Sequence, residues 1–194
     1  QALDISPVEF KIRLGDDGLG AGNDPAVGRR AAITSLDMVK QKFENLSTKM
    51  IFITAGMGGG TGTGASPVIA KAAREMGILT VAIVTSPLKI EGQIRYKQAM
   101  AGIEELKGCV DSLLIINNDN IMAMGGRMTV DDAFSLADDV LASAAKGIAE
   151  IITIKSPRTN IDFADVSKVM TNSGRTHMGV GRAKGEDRAE TAAR

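Results

Sequence analysis

The chain has 194 residues, 44% of them hydrophobic, enough for one large domain or for one domain and part of a second. Lysine plus arginine and aspartate plus glutamate balance at 23 each, so no basic excess exists to neutralise a nucleic-acid backbone, and nucleic acid is not an expected partner. The lone Cys109 excludes an internal disulfide and a thiolate metal cluster, and the lone His177 leaves no multi-histidine metal site and one candidate imidazole for a catalytic triad.

No apolar run reaches the length of about 18 residues that a membrane span needs, and the opening Gln1 to Pro7 lacks the layout of a signal peptide. The expectation is a soluble, cytoplasmic protein without direct membrane insertion. Cys109 reads as a small buried hydrophobe.

Along the chain, Glu9 to Leu14 is strand-like, and a glycine-rich stretch from Gly15 to Pro25 follows. A helix is predicted from about Pro25 to Leu46, with Asn23 or Asp24 as cap and Pro25 in its first turn. Met50 to Ala55 is an apolar, β-branched run typical of a strand covered on both faces. After a glycine loop, Ser66 and Pro67 read as cap and first turn of a helix reaching Met76. Leu79 to Thr85 as strand, Gly92 to Leu106 as helix and Ser112 to Ile116 as strand continue the alternation, which argues for a parallel sheet with helices on both faces.

From Thr129 to about Ile152, apolar Phe134, Ala137, Leu141, Ala144, Ile148 and Ile151 recur at helical spacing. Such a helix spans roughly 35 Å, enough to act as a spine between two domains. Lys155 to Thr159 reads as a loop, Phe163 to Met170 as a helix and Thr176 to Ala183 as a strand. The end, Gly185 to Arg194, is charged and helix-prone.

The segment Gly58-Gly59-Gly60-Thr61-Gly62-Thr63-Gly64 exposes backbone amides at the positive end of the next helix, which makes an anion site, and its two threonine hydroxyls are further donors. Tight packing of helix on strand would account for one or two of these glycines but hardly for five in seven. An ordinary P-loop is excluded, because no G-x-x-x-x-G-K-[ST] occurs. Gly60, Gly62 and Ala65 match the loose dinucleotide pattern, but the next strand ends Val84-Thr85-Ser86 with no acidic residue to hold a ribose.

These residues resemble the tubulin/FtsZ GTPase family. Gly58 to Gly64 is similar to its G-G-G-T-G-T-G signature, in the setting Ala55-Gly56-Met57 before and Ala65-Ser66-Pro67-Val68 after. Gly18 to Pro25 resembles the family's earlier phosphate loop and Glu91-Gly92-Gln93-Ile94-Arg95 its ribose segment. Asn117-Asn118-Asp119 resembles the base-side loop, and Asn160 to Val166 the assembly-activated catalytic loop. The similarity covers essentially the whole chain.

The resemblance implies GTP or GDP as ligand, with Mg2+ carried mainly by the phosphates and no metal site of the protein's own. Ala21 and Gly22 would lie at the γ-phosphate and Gly60, Thr61 and Gly62 at the α- and β-phosphates, with Asn23, Gly58, Gly59, Thr63 and Gly64 completing the nucleotide-binding residues. Glu91 and Arg95 would reach the ribose and phosphate side, although by spacing alone they are an i,i+4 surface ion pair. Asn118, Phe134 and Asp138 match the guanine pocket, where a carboxylate accepts from two guanine donors that adenine does not offer. Read without the family, Phe134 is core and Asp138 a solvated helix residue. Asp162 and Asp165, with Asn160, match the catalytic positions that enter the neighbouring subunit's nucleotide site; their spacing equally suits an N-cap and third helical position.

The expected fold is thus α/β, a doubly wound, mostly parallel sheet. Residues 1–128 would form the GTP-binding domain, 129–154 a central helix, and 155–194 the catalytic loop and the start of a second domain. The resemblance further implies a first strand and glycine loop before Gln1, and, after Arg194, the rest of the second domain and a tail for regulators and membrane anchors. The loop Ile154 to Thr159 departs from the family's pattern and looks one residue longer. The implied activity is GTP hydrolysis between subunits of a head-to-tail filament of this protein, in the bacterial division ring at midcell. Rival readings are a dinucleotide-dependent oxidoreductase and an assembly-only homologue; the missing ribose acid disfavours the first and the two aspartates the second.

Overall fold

The computed structural model describes residues 2–15, 20–124, 129–154, 161–178 and 183–193. In chain order these form α1 (Ala2–Ile5), α2 (Pro25–Thr34), α3 (Leu36–Asn45), β1 (Met50–Gly56), α4 (Gly60–Glu75), β2 (Leu79–Ser86), a 3-10 turn (Lys89–Glu91), α5 (Gln93–Cys109), β3 (Ser112–Asn117), α6 (Asn118–Met124), α7 (Val130–Thr153), α8 (Phe163–Met170), β4 (Gly174–Arg175) and α9 (Arg188–Ala193). Among the described residues the strands make one parallel sheet in the order β1-β2-β3-β4.

Strand β2 is central, and its period of two divides the core. Ala82 and Val84 pack with Ala70 of α4 and with Ala99, Ile103 and Leu106 of α5. Leu79, Val81 and Ile83 face the other way, toward Ile121 of α6, Ala137 and Ala144 of α7, and the partly buried Phe163 and Met170 of α8. Burying side chains such as Val81, Ile83 and Val84 contributes about 1.5–3 kcal/mol each. The expected α/β architecture, with helices on both faces, is the one observed. Strand β1 touches both layers, through Phe52 and Ile53, but as an edge of this sheet it stays partly exposed.

Four local expectations are corrected. Glu9–Leu14 is not a strand, and among the described residues it pairs with none; it is tied down by Lys42 stacking 3.3 Å over the Phe10 ring and by the Gly15 N–H donating to Ser35 Oγ at 2.9 Å. The helix begun at Pro25 divides at the buried Ser35, whose side chain takes that amide. Helix α4 begins at Gly60, not Ser66: Ser66 is buried inside it and donates from Oγ to the Gly62 carbonyl at 2.6 Å, while Pro67 is tolerated within the helix. Residues 176–178 are not strand, β4 being confined to Gly174–Arg175, and the remainder of that expected strand lies largely outside the described residues.

Candidate functional site

Between β1 and α4, Gly58 has φ 104°, a conformation that favours glycine, and its N–H donates to Thr63 Oγ1 at 2.8 Å. The cap of α4 is Gly59, which has no side chain to satisfy the first-turn amides. The amides of Gly60, Thr61 and Gly62 therefore open the 16-residue helix without a side-chain acceptor, at the positive end of its dipole. Thr61 is exposed beside them.

The glycines divide by role. A Cβ on Gly60 would stand 2.6 Å from that of Ala21 and 2.8 Å from the Asp24 nitrogen; on Gly62 it would meet the Gly56 carbonyl, and on Gly64 the Pro25 carbonyl. On Gly58 it would crowd the Arg95 carbonyl, so packing accounts for four of the five glycines, more than their sequence suggested. At Gly59 nothing lies within 4 Å. Thr63 is only 4% exposed; its hydroxyl receives the Gly58 amide and its methyl faces Gly102, so it holds the loop's shape from inside.

A second turn meets this helix start. Gly22 and Asn23 have φ of 56° and 64°, the Asp24 N–H donates to the Ala21 carbonyl at 2.9 Å, and Asp24 Oδ1 accepts from Ala26 N at 2.8 Å to cap α2. The turn rests on α4 where Gly60 leaves room for Ala21.

Beside the glycine loop, at the carboxyl ends of β1 and β2, lies a cleft of about 490 Å3. Glu91, Arg95, Asn118, Phe134 and Asp138 all line it, although they come from three separate stretches of chain. Glu91 Oε1 accepts from the Leu88 amide at 2.7 Å and its Oε2 lies 3.3 Å from Arg95 Nε, so the carboxylate orients the arginine. Asn118 is 4% exposed, and among the described residues its Oδ1 has no hydrogen-bond partner. A buried acceptor left unpaired costs roughly 1–3 kcal/mol, which a ligand donor in the cleft would recover. Phe134 is 38% exposed and lines the cleft, rather than lying in the core.

The lining also includes Thr54, Thr85 and Pro87, which were not singled out from sequence. Their signal was position, since ligands of parallel sheets gather where strands end.

Asp162 and Asp165 lie elsewhere. Their neighbour Phe163 lines a second cavity, of about 330 Å3, with Lys49, Leu79 and Asp111 at the amino ends of the strands, the opposite edge of the sheet from the cleft. Both aspartates are exposed and form a capping box: Asp165 N donates to Asp162 Oδ1 at 2.9 Å, and Asp162 N to Asp165 Oδ2 at 3.2 Å. Asn160 lies outside the described residues.

A parallel sheet flanked by helices, with a glycine turn opening one helix and a polar cleft at the carboxyl strand ends, defines the class of α/β domains that receive ligands at that edge. The Tubulin/FtsZ family, GTPase domain, matches residues 1–126. The chain is 47% identical over 195 residues to the cell division protein FtsZ of Mycoplasmopsis pulmonis (strain UAB CTIP), covering 100% of this chain and 49% of that protein. Two M. jannaschii structures, the FtsZ W319Y mutant and an empty FtsZ dimer, each superpose with TM-score 0.91 at 42% identity over 98% of this chain, covering 57% and 55% of theirs. The chain belongs to the tubulin/FtsZ family. It spans about half the length of the curated relative it matches.

Proposed function

We propose that the protein binds GTP in this cleft, assembles head to tail into filaments and hydrolyses GTP across the contact between subunits. The observation that carries the reading is the meeting, at one edge of the sheet, of uncapped helix amides at Gly60 to Gly62 with a cleft holding the unpartnered Asn118 Oδ1 and the Asp138 carboxylate. Family membership in the GTPase domain points to a guanine nucleotide. The phosphates lie on the amides, with Ala21, Gly22 and Asn23 at the γ end; Glu91 and Arg95 serve the ribose side; guanine stacks on Phe134 and donates to Asp138.

A Mg2+ would be borne mainly by the phosphate oxygens of the nucleotide. Asp162 and Asp165, at the far edge of the sheet, act on the next subunit's nucleotide, where a carboxylate orients the attacking water. A contact joining opposite edges is heterologous and does not close, so it propagates as a filament.

On α7, Leu136, Val140 and Ile151 are exposed apolar side chains, which suits a second domain packing on this helix as on a spine. The division ring at midcell is the proposed setting, with regulators and membrane anchors engaged by segments beyond Arg194. Among the described residues no helix is long and apolar enough to cross a membrane.

The test is turnover against concentration in the full-length protein. GTP hydrolysis per subunit should rise at the same protein concentration at which pelletable polymer appears. Turnover strictly first order in protein, with no threshold, overturns hydrolysis between subunits.

A further inference from the structure

At the amino edge of the sheet, the chain after α8 is tied to β3 through Ser112 and Leu113, and the Asn172 turn just before that pairing is held by two further residues, Arg74 and Asp111. Asp111, immediately before β3, has a carboxylate 7% exposed. Its Oδ2 accepts from Thr80 N at 3.0 Å, its Oδ1 accepts from Asn172 N at 3.4 Å, and Arg74 Nε stands 3.5 Å from that Oδ1. The Asp111 carbonyl accepts from Gly174 N at 3.0 Å and from Ser173 Oγ at 3.3 Å. Arg74, near the end of α4, also donates to the Gly108 carbonyl at 3.2 Å and to Asn172 Oδ1. Asn172 itself has φ 54°, the left-handed turn that ends α8.

Against this, the rest of α8 is lightly held. Val166 is its one buried residue among those described, Phe163 and Met170 are partly buried, and the cavity of about 330 Å3 runs beside it between Phe163, Ser167 and Thr171 on one side and Lys49 and Leu79 on the other. The helix has eight residues. At about 12 Å long, a tilt of about 10° around its tied end would carry Asp162 some 2 Å, and displacements near 1 Å are enough to cost about a hundredfold in a positioned reaction.

We propose that Arg74 and Asp111 are positioning residues for GTP hydrolysis: by clamping the Asn172 turn to the base of the sheet they set the direction of α8 and so the aim of Asp162 and Asp165 at the neighbouring subunit. The clamp rests on the reading that those aspartates act on the neighbour's nucleotide. Arg74 sits on the same helix whose first turn faces the cleft, but about 15 residues away, so it touches no nucleotide of its own subunit.

The experiment uses the full-length protein and three readouts: GTP affinity, the threshold concentration for polymer, and turnover per polymerised subunit. Arg74→Met removes the guanidinium. Asn172→Gly keeps the left-handed turn and removes only the side-chain acceptor, so it serves if Arg74→Met fails to fold. Arg74→Lys retains the charge without the fork. Asp162→Asn is the benchmark for loss of the catalytic carboxylate.

Arg74→Met should leave affinity and threshold within about twofold while turnover falls about tenfold or more, Asn172→Gly should lower it several-fold, and Arg74→Lys should recover part of it. Full turnover in Arg74→Met and Asn172→Gly, with Asp162→Asn inactive, overturns the clamp and leaves hydrolysis between subunits standing. Full turnover in Asp162→Asn overturns that reading itself and the clamp with it. Affinity and turnover falling while the threshold rises in Asn172→Gly show a general structural role and also overturn the clamp.

Discussion

The stem of Arg95 rests on Gly58: a Cβ added to Gly58 would stand 2.9 Å from Arg95 Cγ and equally close to the Arg95 carbonyl oxygen. The glycine that bends the loop is therefore also the one that lets the arginine reach the cleft. Gly58→Ala should cost about 1–3 kcal/mol through its φ of 104° and displace Arg95 from the ribose side. Thermal unfolding and calorimetric titration with GTP would register both effects. An unchanged GTP affinity in the folded variant would detach Arg95 from nucleotide binding.

On the proposed reading, Asp138 carries the base preference. A charge-assisted hydrogen bond contributes about 1.5–3 kcal/mol, so Asp138→Ala in the full-length protein should weaken GTP binding about tenfold or more while ATP binding changes little. Competition between the two nucleotides measures this. Discrimination equal to wild type would remove Asp138 from the guanine pocket.

At the other edge, capping and catalysis by Asp162 separate by choice of substitution. Asparagine caps a helix about as well as aspartate, so Asp162→Asn should leave stability within a few tenths of a kcal/mol, whereas Asp162→Ala should lose about 1 kcal/mol. Both should lose GTP turnover while still binding GTP. If Asp162→Asn hydrolyses GTP normally and only the alanine variant fails, the carboxylate is a cap and nothing more.

Cys109 should be a poor nucleophile. Its thiol is pushed above the usual range, first by burial and then by the nearby Glu105 carboxylate, so the reactive thiolate is scarce at neutral pH. Alkylation at pH 8 should run several-fold slower in the native protein than after unfolding, and equal rates would contradict the burial.

Local pattern was enough for much of the fold. The β-branched runs at Met50, Leu79 and Ser112 are strands and the apolar spacing from Val130 is a 24-residue helix, because short apolar β-branched runs and helical spacing can be read without knowledge of neighbours. The Thr129 and Asp162 capping boxes are equally local. Where the outcome depended on a distant partner, local reading failed. Glu9–Leu14 has strand composition but pairs with no strand among the described residues, and Ser66-Pro67 has the chemistry of a helix start but lies inside a helix already begun.

The same division runs through the candidate site. The glycine loop and the two aspartates were legible as motifs, since amide nests and caps are built from contiguous residues. What the sequence by itself determined about this protein is its alternation of elements, its family signature and the chemistry each motif carries. Only the tertiary structure decided that Gly58, Gly60, Gly62 and Gly64 are required by packing, that Phe134 lies at a cleft rather than in the core, and that Asn118 is buried with an acceptor unpaired among the described residues. It alone also set the glycine loop and Asp162 at opposite edges of one sheet. The reason is physical: side-chain type and spacing specify a residue's local conformation, whereas its burial, its partners and the direction it faces depend on chain segments dozens of residues away.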